Sequence, residues 1–181
     1  MEKIMNLYDL NTNTTTMNID GKDIEMKPAI CYGKIYDKWL VSECGKTWSM
    51  KKKRIITGQK TIAYNKNTKM IRCITYSMMM DESDWWGDGS GHLHHAGYQW
   101  RRQITGHKMV MDTWSPLYDN PPEGISWEEW EIVRDLPTVY NHISKTVVID
   151  HIDDDPTNNH LDNLRRVTLW DNQYTRKTKG I

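Results

Sequence analysis

Short runs in which apolar and polar positions alternate dominate the first half of the chain. Lys38 to Ser42 and Thr47 to Met50 read as two strands joined at Gly45, and Lys51 to Thr57 carries the pattern toward Gly58. Thr61-Ile62-Ala63-Tyr64 and Met70 to Tyr76 are two more strand-like runs. Asn65-Lys66-Asn67 separates them, so a small antiparallel sheet is expected. Gly97 to Thr105 alternates roughly, as another strand would. The period then lengthens: His107 to Trp114 predicts a short helix that stops before Pro116. Ser126-x-x-Glu129 is a capping-box start for a second helix, ending before Pro137, with Trp127, Trp130 and Ile132 or Val133 turned partly inward. Thr146-Val147-Val148-Ile149 is a β-branched strand, Asn163 to Val167 begins its partner, and Thr168-x-x-Asp171 caps a terminal helix with Asn172 in its first turn. The fold class is α+β. It divides into an N-terminal arm (1–28), a basic β module (29–80), a loop and helical linker (81–145, with Met78 to Gly97 as the loop) and a C-terminal strand–loop–strand–helix unit (146–181).

Composition narrows the function classes. The 181 residues make one domain, or one small core with appendages. No run approaches the ~18 consecutive apolar residues of a membrane span, and the N-terminus has no apolar signal region. The 3 cysteines lie far apart without a C-x-x-C pair, which excludes a disulfide framework or a cysteine-built zinc site and suggests a reducing compartment. With no Phe, the 9 Trp and 11 Met are the natural core fillers. The 24 basic and 24 acidic residues cancel but are segregated along the chain. From Lys46 to Arg72 every charge is positive, which is the footprint of a polyanion binder; a lysine-guarded sheet edge would look similar. Within that stretch Lys51, Lys52, Lys53 and Arg54 are the candidates for tracking phosphates, with Arg101, Arg102 and Lys108 weaker ones.

The chemistry concentrates near the C-terminus. The Asp150 carboxylate and the Asn172 amide oxygen are hard ligands suited to Mg²⁺ or Mn²⁺ rather than zinc, and two protein ligands leave room for water and phosphate oxygens. A neutral imidazole beside them, His151, can accept a proton from water. These are the parts of a phosphodiester hydrolase. Neighbours in a regular strand face opposite sides, so Asp150 and His151 are expected to share a site only if the strand breaks there. His92-x-His94-His95 lacks a partner at zinc-like spacing and reads as surface loop. Trp85-Trp86 could stack on bases, burial being the simpler reading.

In this register, Asp150-His151-Ile152-Asp153, Asn158-Asn159, Asn163-Leu164-Arg165, Val167-Thr168 and Asn172 resemble the ββα-metal motif of the His-Asn-His (HNH) endonucleases. The closest likeness is to the phage homing branch, in which the last His is Asn. Leu40-Val41-Ser42 with Gly45 to Ser49 is similar to the β module that precedes the motif in that branch, and Gly106 to Trp114 to the helix between them. The resemblance implies an endonuclease that hydrolyses double-stranded DNA by nicking or double-strand cutting. One Mg²⁺ or Mn²⁺ per active site would be held by Asp150 and Asn172. It also implies His151 as general base, Asn163 pinning the loop and orienting His151, and Arg165 or Arg166 meeting the scissile strand. If phage-encoded, the protein would work in the host cytoplasm, as monomer or homodimer. The sequence departs from the family at Asp154, where Gly is usual, and in a longer link over Pro121 to Lys145. A non-catalytic DNA-binding module reusing the fold, or a restriction-type HNH nuclease, are the alternatives.

Overall fold

The computed structural model describes residues 13–31, 33–65, 68–79 and 101–178. The Trp85-Trp86 and His92-x-His94-His95 expectations, and most of the Met78 to Gly97 loop, lie outside those residues. The chain is α+β. A five-stranded antiparallel sheet comprises β1 (Thr15–Ile19), β2 (Lys22–Cys31), β3 (Lys34–Val41), β4 (Thr47–Ser49) and β5 (Arg54–Ile56). A three-stranded meander follows: β6 (Gln59–Asn65), β7 (Thr68–Met79) and β8 (Arg101–Thr105). Helices α1 (Gly106–Trp114), α2 (Trp127–Val133) and α3 (Pro137–Thr146) lead to a hairpin of β9 (Val147–His151) and β10 (Leu164–Thr168), closed by α4 (Leu169–Thr178). Among the described residues no helix is long and apolar enough to cross a membrane.

Three expectations change. Much of the expected N-terminal arm is the β1–β2 hairpin, turned at Asp20 (φ 55°) and Gly21 (φ 79°). Two consecutive left-handed residues match the natural strand twist, and the turn buries Ile19 and Met26 beside Leu40. The helix before Pro137 ends as expected, but Pro137 then opens a further helix, α3, that the sequence reading does not include. At a helix's first position its missing N–H would have no partner anyway, and its fixed φ suits the helix. In α2 the capping box forms as expected, with Glu129 N donating to Ser126 Oγ (3.2 Å) and Ser126 N to Glu129 Oε2 (3.0 Å). However, Trp127 and Ile132 are exposed, and Trp130 is the residue that goes inward, its Nε1 donating to the Tyr118 carbonyl at 2.9 Å.

The centre of the molecule is α1. Its Met109, Val110 and Met111 pack with Ala29, Cys31 and Val41 of the large sheet, Tyr76, Met78 and Ile104 of the meander, and Leu164 of the hairpin. Directional bonds fix the large sheet and the hairpin to α1. Ile30 N donates to Thr113 Oγ1 at 2.8 Å, and Trp114 Nε1 to the Val41 carbonyl at 3.1 Å. From the hairpin, buried Arg166 donates to the Ser115 carbonyl and, at 3.3 Å, to that of Met111. It also lies 3.6 Å from Asp112 Oδ1, whose other oxygen pairs with Lys108. The last turn of α1 holds no basic residue, so Arg166 supplies the cation its C-terminal dipole favours.

Arg166 was expected at the DNA surface. Its register opposite Ile149 instead turns it into the core, where its guanidinium is a fold contact. Replacing it (Arg166→Met) should leave the α1 carbonyls without their cation, and Asp112 with Lys108 alone, and cost about 3 kcal/mol. Urea denaturation reads this as a lowered midpoint; an unchanged midpoint would contradict it.

Candidate active site

The Asp-rich loop after β9 is ordered by its own side chains. Asn163 Oδ1 accepts from Asp153 N (3.0 Å), while its Nδ2 donates to Asp153 Oδ1 (2.8 Å) and the Asn158 carbonyl (2.9 Å). Asn158 Nδ2 and Asp155 N also donate to the Asp153 carboxylate, at 2.7 and 2.8 Å. These donors, Asn158 first, hold Asp153 below the usual carboxylate range, and the Thr157 hydroxyl and amide do the same for Asp155. Asp154 sits at φ 61°, a left-handed position that Asp tolerates better than most residues.

The strand does not break before His151. It runs through that residue and turns immediately after, with Asp154 N donating to the His151 carbonyl at 3.1 Å. Asp150 and His151 therefore leave β9 on opposite faces at its last two positions. Asp150 is buried. Its Oδ2 accepts from Arg165 Nε (3.1 Å) and Nη2 (3.0 Å), which leaves Oδ1 free of protein hydrogen bonds among the described residues. Arg165, expected to meet the scissile strand, is thus held between Asp150 and Glu123, whose Oε2 lies 3.0 Å from its Nη1.

On the other face, buried His151 places Nε2 3.0 Å from Asn159 Oδ1. Its ring meets that of His107 edge-on, with centroids 5.3 Å apart. So Asn163 orders the loop, as expected, but the partner of the imidazole is Asn159. Nothing in the residues flanking Asn159 marks it as different from Asn158. His107 comes from α1, far off in sequence, and burial first, then the nearby charges of His151 and Lys108, lower its pKa to about 4. The part of Glu123 is likewise a product of tertiary packing, since its N–H bonds the Arg166 carbonyl at 2.8 Å.

Asn172 enters from α4, which follows Thr168, whose hydroxyl accepts from Asp171 N at 3.1 Å, and which packs on both β9 and β10. The Asn172 Oδ1 is buried and has no hydrogen-bond partner among the described residues. A buried acceptor without a donor is costly unless something else satisfies it. A hard oxygen in that state, with an uncommitted carboxylate oxygen on the neighbouring strand, fits the donor set of a Mg²⁺- or Mn²⁺-type ion. No group of three or more His, Cys, Asp or Glu among the described residues could hold a metal, which leaves no zinc-type centre there. The basic residues Lys51, Lys52, Lys53 and Arg54 are all exposed in the turn between β4 and β5. Lys108 is paired with Asp112, and the side chains of Arg101 and Arg102 lie outside those described.

Residues 141–174, the span that holds all four of Asp150, His151, Asn163 and Asn172, match the HNH endonuclease family. A solved structure described as "DNA binding and cleavage by the HNH homing endonuclease I-HmuI" aligns with a TM-score of 0.42 and 17% identity, covering 80% of this chain. The chain spans 55% of that structure's own length. No curated protein matches the sequence.

The buried His107 makes stability depend on pH. Its folded pKa lies below the ordinary 6.5, so protonation favours the unfolded chain. The fold keeps this contribution above pH 6.5 and loses it progressively as the pH falls toward about 4. By pH 5 the loss should be about 2 kcal/mol. Denaturation at pH 7 and pH 5 should show a smaller drop for His107→Gln than for the parent protein; equal drops would contradict the assignment.

Proposed function

We propose that the HNH endonuclease segment makes this chain a divalent-metal-dependent nuclease that hydrolyses phosphodiester bonds of double-stranded DNA, of the kind found among phage homing enzymes. The observation that supports the reading is that the span matching the HNH family holds two uncommitted oxygens and an imidazole. These are the Asp150 carboxylate and the buried, donorless Asn172 Oδ1, with His151 on the last residue of β9.

Asp150 and Asn172 would hold one Mg²⁺ or Mn²⁺, which when bound supplies positive charge for the developing leaving oxygen. His151 accepts the proton of the attacking water, the task of an imidazole neutral near pH 7. Because β9 ends at His151, a phosphate would have to sit across that strand end to meet residues from both faces. Arg165 holds the Asp150 carboxylate in place through two N–H bonds, a positioning task rather than a grip on DNA. The exposed Lys51-Lys52-Lys53-Arg54 turn offers phosphate contacts away from the reacting bond. In-line attack leaves a 3′-hydroxyl and a 5′-phosphate, as the family does. One hairpin offers one base, so a single copy should nick, and a double-strand break needs two copies or two visits.

Incubated with supercoiled plasmid and Mg²⁺, the protein should yield open circles, and EDTA should abolish this. His151→Ala should slow nicking by about 10²-fold or more. A non-catalytic DNA-binding module would bind plasmid but leave it supercoiled under all of these conditions, and a His151→Ala protein that nicks at the parent rate would overturn the assigned base.

A further inference from the structure

We propose that Asn159 is the residue that decides which nitrogen of His151 carries its proton, and that two glycines outside the HNH segment, Gly45 and Gly106, seat it for that task. The catalytic consequence rests on the nuclease reading above; the structural claim does not. An amide oxygen can only accept a hydrogen bond. With Asn159 Oδ1 at 3.0 Å from His151 Nε2, the neutral ring must donate from Nε2, so its lone pair is on Nδ1. A ring with the other tautomer would set two acceptors against each other in a buried place.

The seat of Asn159 is built from elsewhere in the chain. Asn158 and Asn163 spend their side chains inside the loop, whereas the Asn159 amide leaves it and lies against α1. A Cβ on Gly106 would stand 2.6 Å from Asn159 Nδ2, too close for the amide to remain where it is. A Cβ on Gly45 would stand 3.1 Å from both the Asn159 Cβ and its carbonyl oxygen, and Gly45 adopts φ +80°, where other residues are strained. The same β3–β4 loop docks on the hairpin through Leu161 N, which donates to the Glu43 carbonyl at 2.8 Å. His107, next to Gly106, closes the remaining side of the ring edge-on. The base of the HNH segment is thus oriented by a clamp whose jaws are the large sheet and the start of α1.

The test uses the full chain labelled with ¹⁵N-histidine, His151 being assigned by its loss in a His151→Gln spectrum, at a pH where the ring is neutral. Long-range ¹H–¹⁵N spectra of the parent protein should show the Nε2–H form. Asn159→Ala and Gly106→Ala should both lose that preference. Asn159→Asp, which keeps an oxygen in the same place, should retain it. In plasmid nicking, the first two should lower kcat by about 10–100-fold at unchanged KM, and Asn159→Asp should recover most of that loss. A parent spectrum showing the Nδ1–H form, or an Nε2–H preference that survives Asn159→Ala, would overturn the proposal. If a variant fails to fold, the parent spectrum alone decides. If the parent shows the Nε2–H form yet never nicks plasmid, the nuclease reading fails and the Asn159 assignment stands.

Discussion

The guanidinium of Arg166 against the last carbonyls of α1 fastens the hairpin to the rest of the molecule, and the layout of the site follows from it. Strand side chains alternate, so with Arg166 inward, its cross-strand partner Ile149 and the next inward pair, Leu164 and His151, must also face α1. Asp150 and Arg165 then have to face the other way, toward Glu123. A slip of one residue would exchange the two faces entirely, burying the carboxylate against the core and exposing the imidazole. One buried cation thus fixes the faces and with them the separation of Asp150 from His151.

The two faces are supported by different chemistry. Against His151 lie Asn159 and His107, with Asn159 itself held by two glycines. Behind Asp150 lies a chain of ions, Arg165 and then Glu123, which keeps a buried carboxylate compensated while leaving one oxygen uncommitted. The acids of the intervening loop are exposed, and Asp153 and Asp155 accept hydrogen bonds from the loop's own backbone and side chains.

Local signals were legible where they were strong and short-ranged. The Ser126–Glu129 capping box, the span of α1 and the strand–loop–strand–helix order of the C-terminal unit can all be read from residue types alone. The β1–β2 hairpin was missed although Asp20-Gly21 is a good turn pair, because its strands are polar outside and carry little apolar alternation. Pro137 lies beyond the end of α2, as read, but the helix it opens was not legible, because a proline suits both the gap after one helix and the first position of the next. Arg165 and Arg166 could not be told apart without the register. The partners of His151 were out of sight for a related reason: His107, Gly106 and Gly45 come from other elements, brought to the hairpin only by the packing around α1.

The account centres on a single divalent ion gripped by one strand residue and one helix residue. Its most direct test is Mn²⁺ binding to the full chain without DNA, followed by electron paramagnetic resonance. One Mn²⁺ per chain should bind to the parent and to His151→Ala, and Asp150→Asn and Asn172→Ala should each weaken binding markedly. Stoichiometric binding untouched by either ligand substitution, or no binding at all, would contradict it.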